Sequence, residues 1–138
     1  MLTKIKIAAI AATLAVAGAA LAQDKPPPVS PSPVKRNIIA KMEVPNSNYE
    51  VLTAQLEIAP GFKAGRHFHP GIVSGYVTEG DFWIALDGQP EKILHVGESL
   101  PLPDKVVHNE GNASSDKWVK LIVTYVVEKG QPLVTPVK

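Results

Sequence analysis

The sequence contains no cysteine, and this absence excludes disulfide frameworks, thiolate metal sites and cysteine nucleophiles. An excess of charge of one sign is also missing, because 14 basic and 13 acidic residues leave the 138-residue chain with a net charge of only +1. Without a large basic block, the chain lacks the electrostatic character of a protein that binds nucleic acid or anionic lipid. No G-x-S-x-G elbow, P-loop or dinucleotide fingerprint occurs either.

The first 22 residues have the composition of a secretory signal peptide. Two lysines near the N-terminus precede an apolar run, which ends in Ala20-Leu21-Ala22, the small-x-small pattern that signal peptidases cleave. The alternative is an uncleaved membrane anchor, because the run is almost long enough to span a bilayer. We favour cleavage after Ala22 and therefore predict a periplasmic or secreted product that is not attached to the membrane.

Residues 23–36 are predicted to form a proline-rich linker. Five prolines lie between positions 26 and 33, and the segment has almost nothing to bury, so we expect an extended tether. The remaining residues, 37–138, are enough for one hydrophobic core and are predicted to form the single folded domain.

This domain shows the period of β-strands and no sustained helical period. In the run 118–127, residues Val119, Leu121, Val123, Tyr125 and Val127 alternate with more polar neighbours. Such alternation indicates one buried and one exposed face. Short strands separated by glycine and proline turns are typical of an all-β sandwich or barrel.

Three histidines form the candidate functional site. His67 and His69 are two residues apart, so on a strand their side chains leave the same face. His108 follows about forty residues later, and a strand pair that placed it alongside would let three imidazoles share one metal ion. The alternative is that these histidines pack or make hydrogen bonds without a metal. His95 lies apart from them and is predicted to be a surface residue.

The first histidine cluster resembles the first motif of the cupin superfamily. That motif contains a glycine, H-x-H, a glutamate and a second glycine, and Gly61, His67, His69 and Gly80 match it in spacing. The family glutamate is replaced by Val73. Glu79 is not an obvious substitute, because it lies six residues farther along the same strand, roughly 20 Å away.

The segment around His108 resembles the second cupin motif, and here one glycine is replaced. Gly97, Pro103, His108 and Asn112 match it in register, with Lys105 at the position of the second glycine. The resemblance implies a cupin-type β-barrel, that is, a jelly-roll-like double-stranded β-helix. It is far less specific for function, because one fold hosts many activities.

The resemblance implies a divalent transition metal bound by His67, His69 and His108. Because a valine cannot ligate a metal, we expect water to complete the coordination, and three imidazoles suit iron, zinc, nickel, copper or manganese better than magnesium or calcium. The alternative is that the loss of the glutamate marks a cupin without metal, whose histidines line a pocket.

Two functional classes follow from the resemblance, and both involve a small-molecule ligand or substrate. The first is a metal-dependent, oxygenase-type enzyme. The second is a binding module of the periplasm without catalytic turnover. No residue is an obvious general acid or base. A homodimer is compatible with the resemblance, because association through outer sheet faces is common in the family.

Overall fold

The structure is a computed structural model, and it describes residues 31–138. The predicted signal peptide and residues 23–30 of the predicted linker lie outside the described residues. Within the described part, the chain forms ten strands and no helix. The strands are β1 (Val34–Glu43), β2 (Tyr49–Ile58), β3 (His67–Phe68), β4 (Gly71–Glu79), β5 (Phe82–Leu86), β6 (Lys92–Leu94), β7 (Ser99–Leu102), β8 (His108–Asn112), β9 (Val119–Glu128) and β10 (Thr135–Pro136).

The strands form two antiparallel five-stranded sheets. The first sheet has the order β1-β2-β9-β4-β7, and the second has the order β10-β3-β8-β5-β6. Strands that are distant in sequence therefore become neighbours, as when β4 pairs with β9. The prediction of an all-β, jelly-roll-like barrel is confirmed. Strand β1 begins at Val34, a little before the predicted start of the domain at residue 37.

The core lies between the two sheets and is built by the alternation seen in the sequence. All five apolar residues of the inner face of β9 are buried, with 5% exposure or less. They pack against Leu52, Ala54, Leu56 and Ile58 of β2 and against Phe82 and Ile84 of β5 in one hydrophobic cluster. Removing this apolar surface from water is the main force that closes the two sheets on each other. Nowhere in residues 31–138 is there a helix with the length and hydropathy needed to cross a bilayer.

Strand β1 is the exposed edge of the first sheet. Of its ten residues only Val34 is half-buried, and the others are exposed. A bulge between Ile38 and Ala40 shifts its register against β2. Before the bulge, Val34 and Arg36 stand across from Ile58 and Leu56, so their side chains lie on the inner face of the sheet.

The turn before β8 contains a residue with a left-handed backbone, Lys105, at the position where the second cupin motif has a glycine. Lys105 has a φ of 57°, in the region that residues other than glycine rarely adopt. Its amide donates a hydrogen bond to the carbonyl of His69 (3.1 Å), and the Val106 amide donates to the carbonyl of Pro103 (3.4 Å). The turn thereby ties the start of β8 to the segment that carries His69.

Candidate metal centre

The structure brings the three predicted histidines together in the second sheet. His67 on β3 and His108 on β8 are paired directly across the two strands. His69 follows β3 by one residue. The ring centres are 4.4 Å apart for His67 and His108, 5.1 Å for His67 and His69, and 5.0 Å for His69 and His108. All three side chains are buried, with exposures of 3%, 4% and 0% for His67, His69 and His108.

The backbone fixes which ring nitrogen of each histidine faces the centre. The Nδ1 atom of His67 lies 2.8 Å from the carbonyl of Gly65, that of His69 lies 2.6 Å from the carbonyl of Leu133, and that of His108 lies 2.8 Å from the carbonyl of Val106. A carbonyl only accepts hydrogen bonds, so each Nδ1 must carry the proton and donate it. In the neutral rings every Nε2 therefore keeps a free lone pair.

Two of these Nε2 atoms have no hydrogen-bond partner. In the described part of the chain, the Nε2 atoms of His67 and His108 are the only buried side-chain nitrogen or oxygen atoms that lack one. A buried polar atom without a partner is costly, and native structures contain few of them. An electrophile shared by the three rings would satisfy both atoms.

A carboxylate, Glu110, also faces this centre. Its side chain is 17% exposed, and its oxygens lie 3.8 Å from the Nε2 of His67 and 3.6 Å from the Nε2 of His108. One ligand atom from each of the three histidines and from Glu110 can be chosen so that all four lie within 4.8 Å of one another. Three imidazole nitrogens and one carboxylate oxygen form a donor set that fits a divalent transition metal.

Our expectation that the site lacks a carboxylate was wrong. Val73, at the family position of the glutamate, is buried and offers no ligand atom. Glu110 supplies the acid from a different strand. The signal was present in the sequence, because Glu110 follows His108 by two residues on β8 and so shares its face, as His69 shares the face of His67. The same spacing rule therefore joins His67 to His69 in the first motif and His108 to Glu110 in the second.

The charges of the site reinforce one another. Burial would raise the pKa of Glu110, but the neighbouring His108, His67 and His69 outweigh burial and lower it, so the carboxylate is ionised. Burial lowers the pKa of His69, which favours its neutral form. For His108, burial acts downward, yet Glu110 and the carbonyl of Val106 together raise its pKa. An ionised carboxylate and a neutral imidazole are the forms in which these groups bind metals. Glu110 and His69 favour these forms, whereas His108 would have to release the proton that its raised pKa favours.

A small apolar cavity of about 20 Å³ adjoins two of the four residues, His69 and Glu110. Its lining includes His69, Glu110, Val73 and Tyr125, and the other lining residues are Leu56, Gly75, Phe82, Leu94, Leu100, Leu102, Leu121 and Val123. This volume holds about one water molecule. The cavity therefore offers a confined, mostly apolar space beside the candidate ligands His69 and Glu110.

His95 lies away from the centre, as the sequence predicts. Its side chain is 67% exposed, and its Nδ1 lies 2.7 Å from Oδ1 of Asp81. It contributes no ligand atom to the cluster of His67, His69, His108 and Glu110.

Comparison with known proteins agrees with this architecture. No curated protein matches the chain in sequence. Among solved structures, a cupin-like protein from Thermotoga maritima MSB8 is similar at 26% identity, covering 75% of each chain with a TM-score of 0.58. The polyketide cyclase RemF from Streptomyces resistomycificus is similar at 18% identity, covering 78% of this chain and 72% of RemF, with a TM-score of 0.61.

The DMSP lyase DddQ from Ruegeria pomeroyi DSS-3 is similar at 16% identity, with a TM-score of 0.56. The match covers 65% of this chain and spans 44% of the length of DddQ. Below 25% identity, such likeness shows a shared fold and not a shared activity. The family model described as the cupin domain matches residues 54–125, which is more than half of the sequence. With its two antiparallel sheets and its three histidines in motif register, the chain belongs to the cupin domain family.

Proposed function

We propose that this cupin domain binds one divalent transition metal ion through His67, His69, His108 and Glu110. The observation that carries the proposal is the pair of buried, unpartnered Nε2 atoms in a cluster whose Nδ1 atoms are all held by backbone carbonyls. Such carbonyl contacts fix the tautomer and the orientation of metal-binding histidines. The donor set suits iron, zinc, nickel, copper or manganese better than calcium or magnesium, which prefer oxygen ligands.

Metal analysis tests this proposal. Protein purified without added metal, and again after loading and desalting, is expected to contain about one transition metal ion per chain by elemental analysis. His67→Ala and His108→Ala are expected to lose it. His95→Ala is the matched control, because this histidine is exposed and lies outside the cluster. Retention of the metal by all three variants would place the binding site elsewhere.

We propose further that the metal site serves an oxygenase-type reaction on a small organic substrate. A bound transition metal would supply redox or Lewis-acid chemistry. The chain itself contributes a ligand face from β3 and β8, and the apolar lining of the cavity excludes bulk water. Oxygen uptake by metal-loaded protein with a panel of phenols, thiols and diketones tests for turnover.

The alternative function is a binding module for a metal or small ligand without turnover. The size of the cavity favours it, because about 20 Å³ holds one water molecule and no organic skeleton. Metal-loaded protein that consumes no oxygen and leaves every compound of the panel unchanged would support this alternative.

We also propose that the protein is exported. The support is the signal-like composition of residues 1–22, which precedes the folded domain. Expression in a bacterial host is expected to yield periplasmic protein whose N-terminus is Gln23. Full-length protein found in the cytoplasm would contradict export.

A homodimer through the outer face of the first sheet is our proposal for the assembly. Met42, Val51, Val126 and Ile72 form one apolar row across four strands, and Met42 and Ile72 are 60% and 56% exposed. A second row on this face is charged and alternates in sign. It consists of Lys35, Glu57, Lys120 and Glu79.

This charged row is complementary to itself. A two-fold axis parallel to the strands would place Lys35 opposite Glu79 of a second copy and Glu57 opposite its Lys120. Such symmetry is the commonest in soluble oligomers. Sedimentation is expected to show a dimer that Ile72→Lys converts to monomer, whereas Ile93→Lys, an exposed position on the second sheet, leaves it intact. A monomeric wild type would refute the dimer.

A further inference from the structure

Arg36 is one of five cations of residues 31–138 that have no acidic partner, and it lies beside the cavity. Within residues 31–138, no carboxylate oxygen lies within 4.0 Å of the guanidinium of Arg36, whereas Arg66 and five of the nine lysines have such partners. Arg36 stands across from Leu56 on the inner face of the first sheet, and Leu56 lines the cavity.

The guanidinium of Arg36 is held over a residue of the cavity wall. Its central carbon is 5.8 Å from the ring centre of Tyr125, within the range of a cation–π contact. The Tyr125 ring is in turn 5.8 Å from the ring of His69. The guanidinium carbon of Arg36 and the ring centre of His69 are therefore separated by at most the sum of these two distances. Arg36 itself is exposed and Tyr125 is buried, so the pair connects solvent with the metal centre.

The pKa of the Tyr125 hydroxyl depends on burial and on Arg36. Burial raises this pKa, and the positive charge of Arg36, which acts in the opposite direction, does not offset this. Because the guanidinium lies 5.8 Å from the ring centre, the phenol and the guanidinium present hydrogen-bond donors in the same region. Planar, charged donors of this kind recognise carboxylates by paired hydrogen bonds.

We propose that Arg36, with Tyr125, binds the carboxylate of a small organic acid at the entrance of the metal cavity. The inference rests on the proposed metal site and names the class of its ligand. A metal ion would balance the charge of Glu110, which also lines the cavity and would otherwise repel an anion. The acid must be small, because the cavity beyond Tyr125 has room for about one water molecule.

The test uses zinc-loaded protein and straight-chain carboxylates from acetate to hexanoate as probes, followed by NMR titration. At least one acid is expected to bind saturably and to shift the signals of Arg36 and Tyr125. The amide of that acid is expected to bind at least about tenfold more weakly, because charge-assisted hydrogen bonds are the stronger ones.

Variants separate this inference from the metal site. Arg36→Gln is expected to keep the wild-type zinc content and to lower the affinity for the acid at least about tenfold. Arg36→Lys is expected to have an intermediate affinity. Lys35→Gln is the matched control, because it removes the same charge from the adjacent residue, which pairs with Glu57 on the outer face. Equal affinity of Arg36→Gln and Lys35→Gln for the acid would overturn the assignment, as would the absence of saturable binding by any probe.

A wild type without zinc would refute the metal site and not the Arg36 contact. The same titration on zinc-free protein then tests Arg36 directly. If Arg36→Gln binds the acid tenfold more weakly than Lys35→Gln does, the contact is supported. Equal affinities of the two variants would reject it.

Discussion

His67 and His108 face each other directly across two antiparallel strands, with ring centres 4.4 Å apart. Residues paired in this way have side chains on the same face of the sheet. The pairing of β3 with β8 therefore joins the two motifs at one point, and His69 and Glu110 follow because each lies two residues along from one member of the pair. The candidate metal centre is a consequence of strand register.

We predict that either of two strands can supply the carboxylate of the site. Glu110→Gln removes the charge and is expected to lower the affinity for zinc at least about tenfold, as changes around metal ligands commonly do. Val73→Glu in that background returns a carboxylate to the family position, in the wall of the cavity that His69 also lines, and is expected to recover part of the affinity. Calorimetric titration with zinc measures both.

Glu79→Gln is the control for this series, because Glu79 pairs with Lys120 on the surface. If the double variant binds zinc no more tightly than Glu110→Gln alone, a side chain at position 73 does not reach the ion.

The C-terminal segment is predicted to hold His69 in place. The carbonyl of Leu133 accepts the hydrogen bond from Nδ1 of His69 at 2.6 Å, and β10 then pairs with β3. Deletion of residues 132–138 is expected to lower zinc affinity about 10- to 100-fold, because the ring loses its orienting partner. Deletion of residues 137–138 alone keeps both contacts and serves as the control. Equal affinity of the two truncated proteins would show that Leu133 has no such role.

Much of this arrangement could be predicted from sequence, and the reason is periodicity. The alternation in β9 identified its buried residues, and the motif spacing identified His67, His69 and His108. The motif spacing did not identify Glu110, because the resemblance places the family carboxylate at position 73, where this chain has valine. Arg36 was not predicted as a neighbour of the site, because its place depends on how β1 pairs with β2 and how β2 pairs with β9, which carries Tyr125.

The Lys105 turn is predicted to be a point of local strain. A residue with a Cβ in the left-handed region costs about 1–2 kcal/mol, whereas glycine adopts that region freely but loses more entropy on folding. Lys105→Gly is therefore expected to raise the free energy of unfolding by about 0.5–1 kcal/mol, measured by urea denaturation. Asp104→Gly, at a neighbouring residue without positive φ, is expected to destabilise the fold. A Lys105→Gly variant less stable than the wild type would contradict this account.

His95 is predicted to contribute stability that depends on pH. The hydrogen bond and the charge of Asp81 raise the pKa of His95. A raised pKa in the folded state means that the contribution is fully present below about pH 6.5, the unfolded value, and is lost as the pH rises through the folded value. NMR titration of the His95 ring measures this pKa, and Asp81→Asn is expected to bring it back toward the ordinary value. No change in that variant would contradict the assignment.

The metal content of the purified protein tests the central claim most directly. Elemental analysis of wild-type protein and of His108→Ala, with His95→Ala as control, is expected to show about one transition metal ion per chain in the wild type and the control and none in His108→Ala. A wild-type protein that holds no stoichiometric transition metal after loading and desalting would contradict the account.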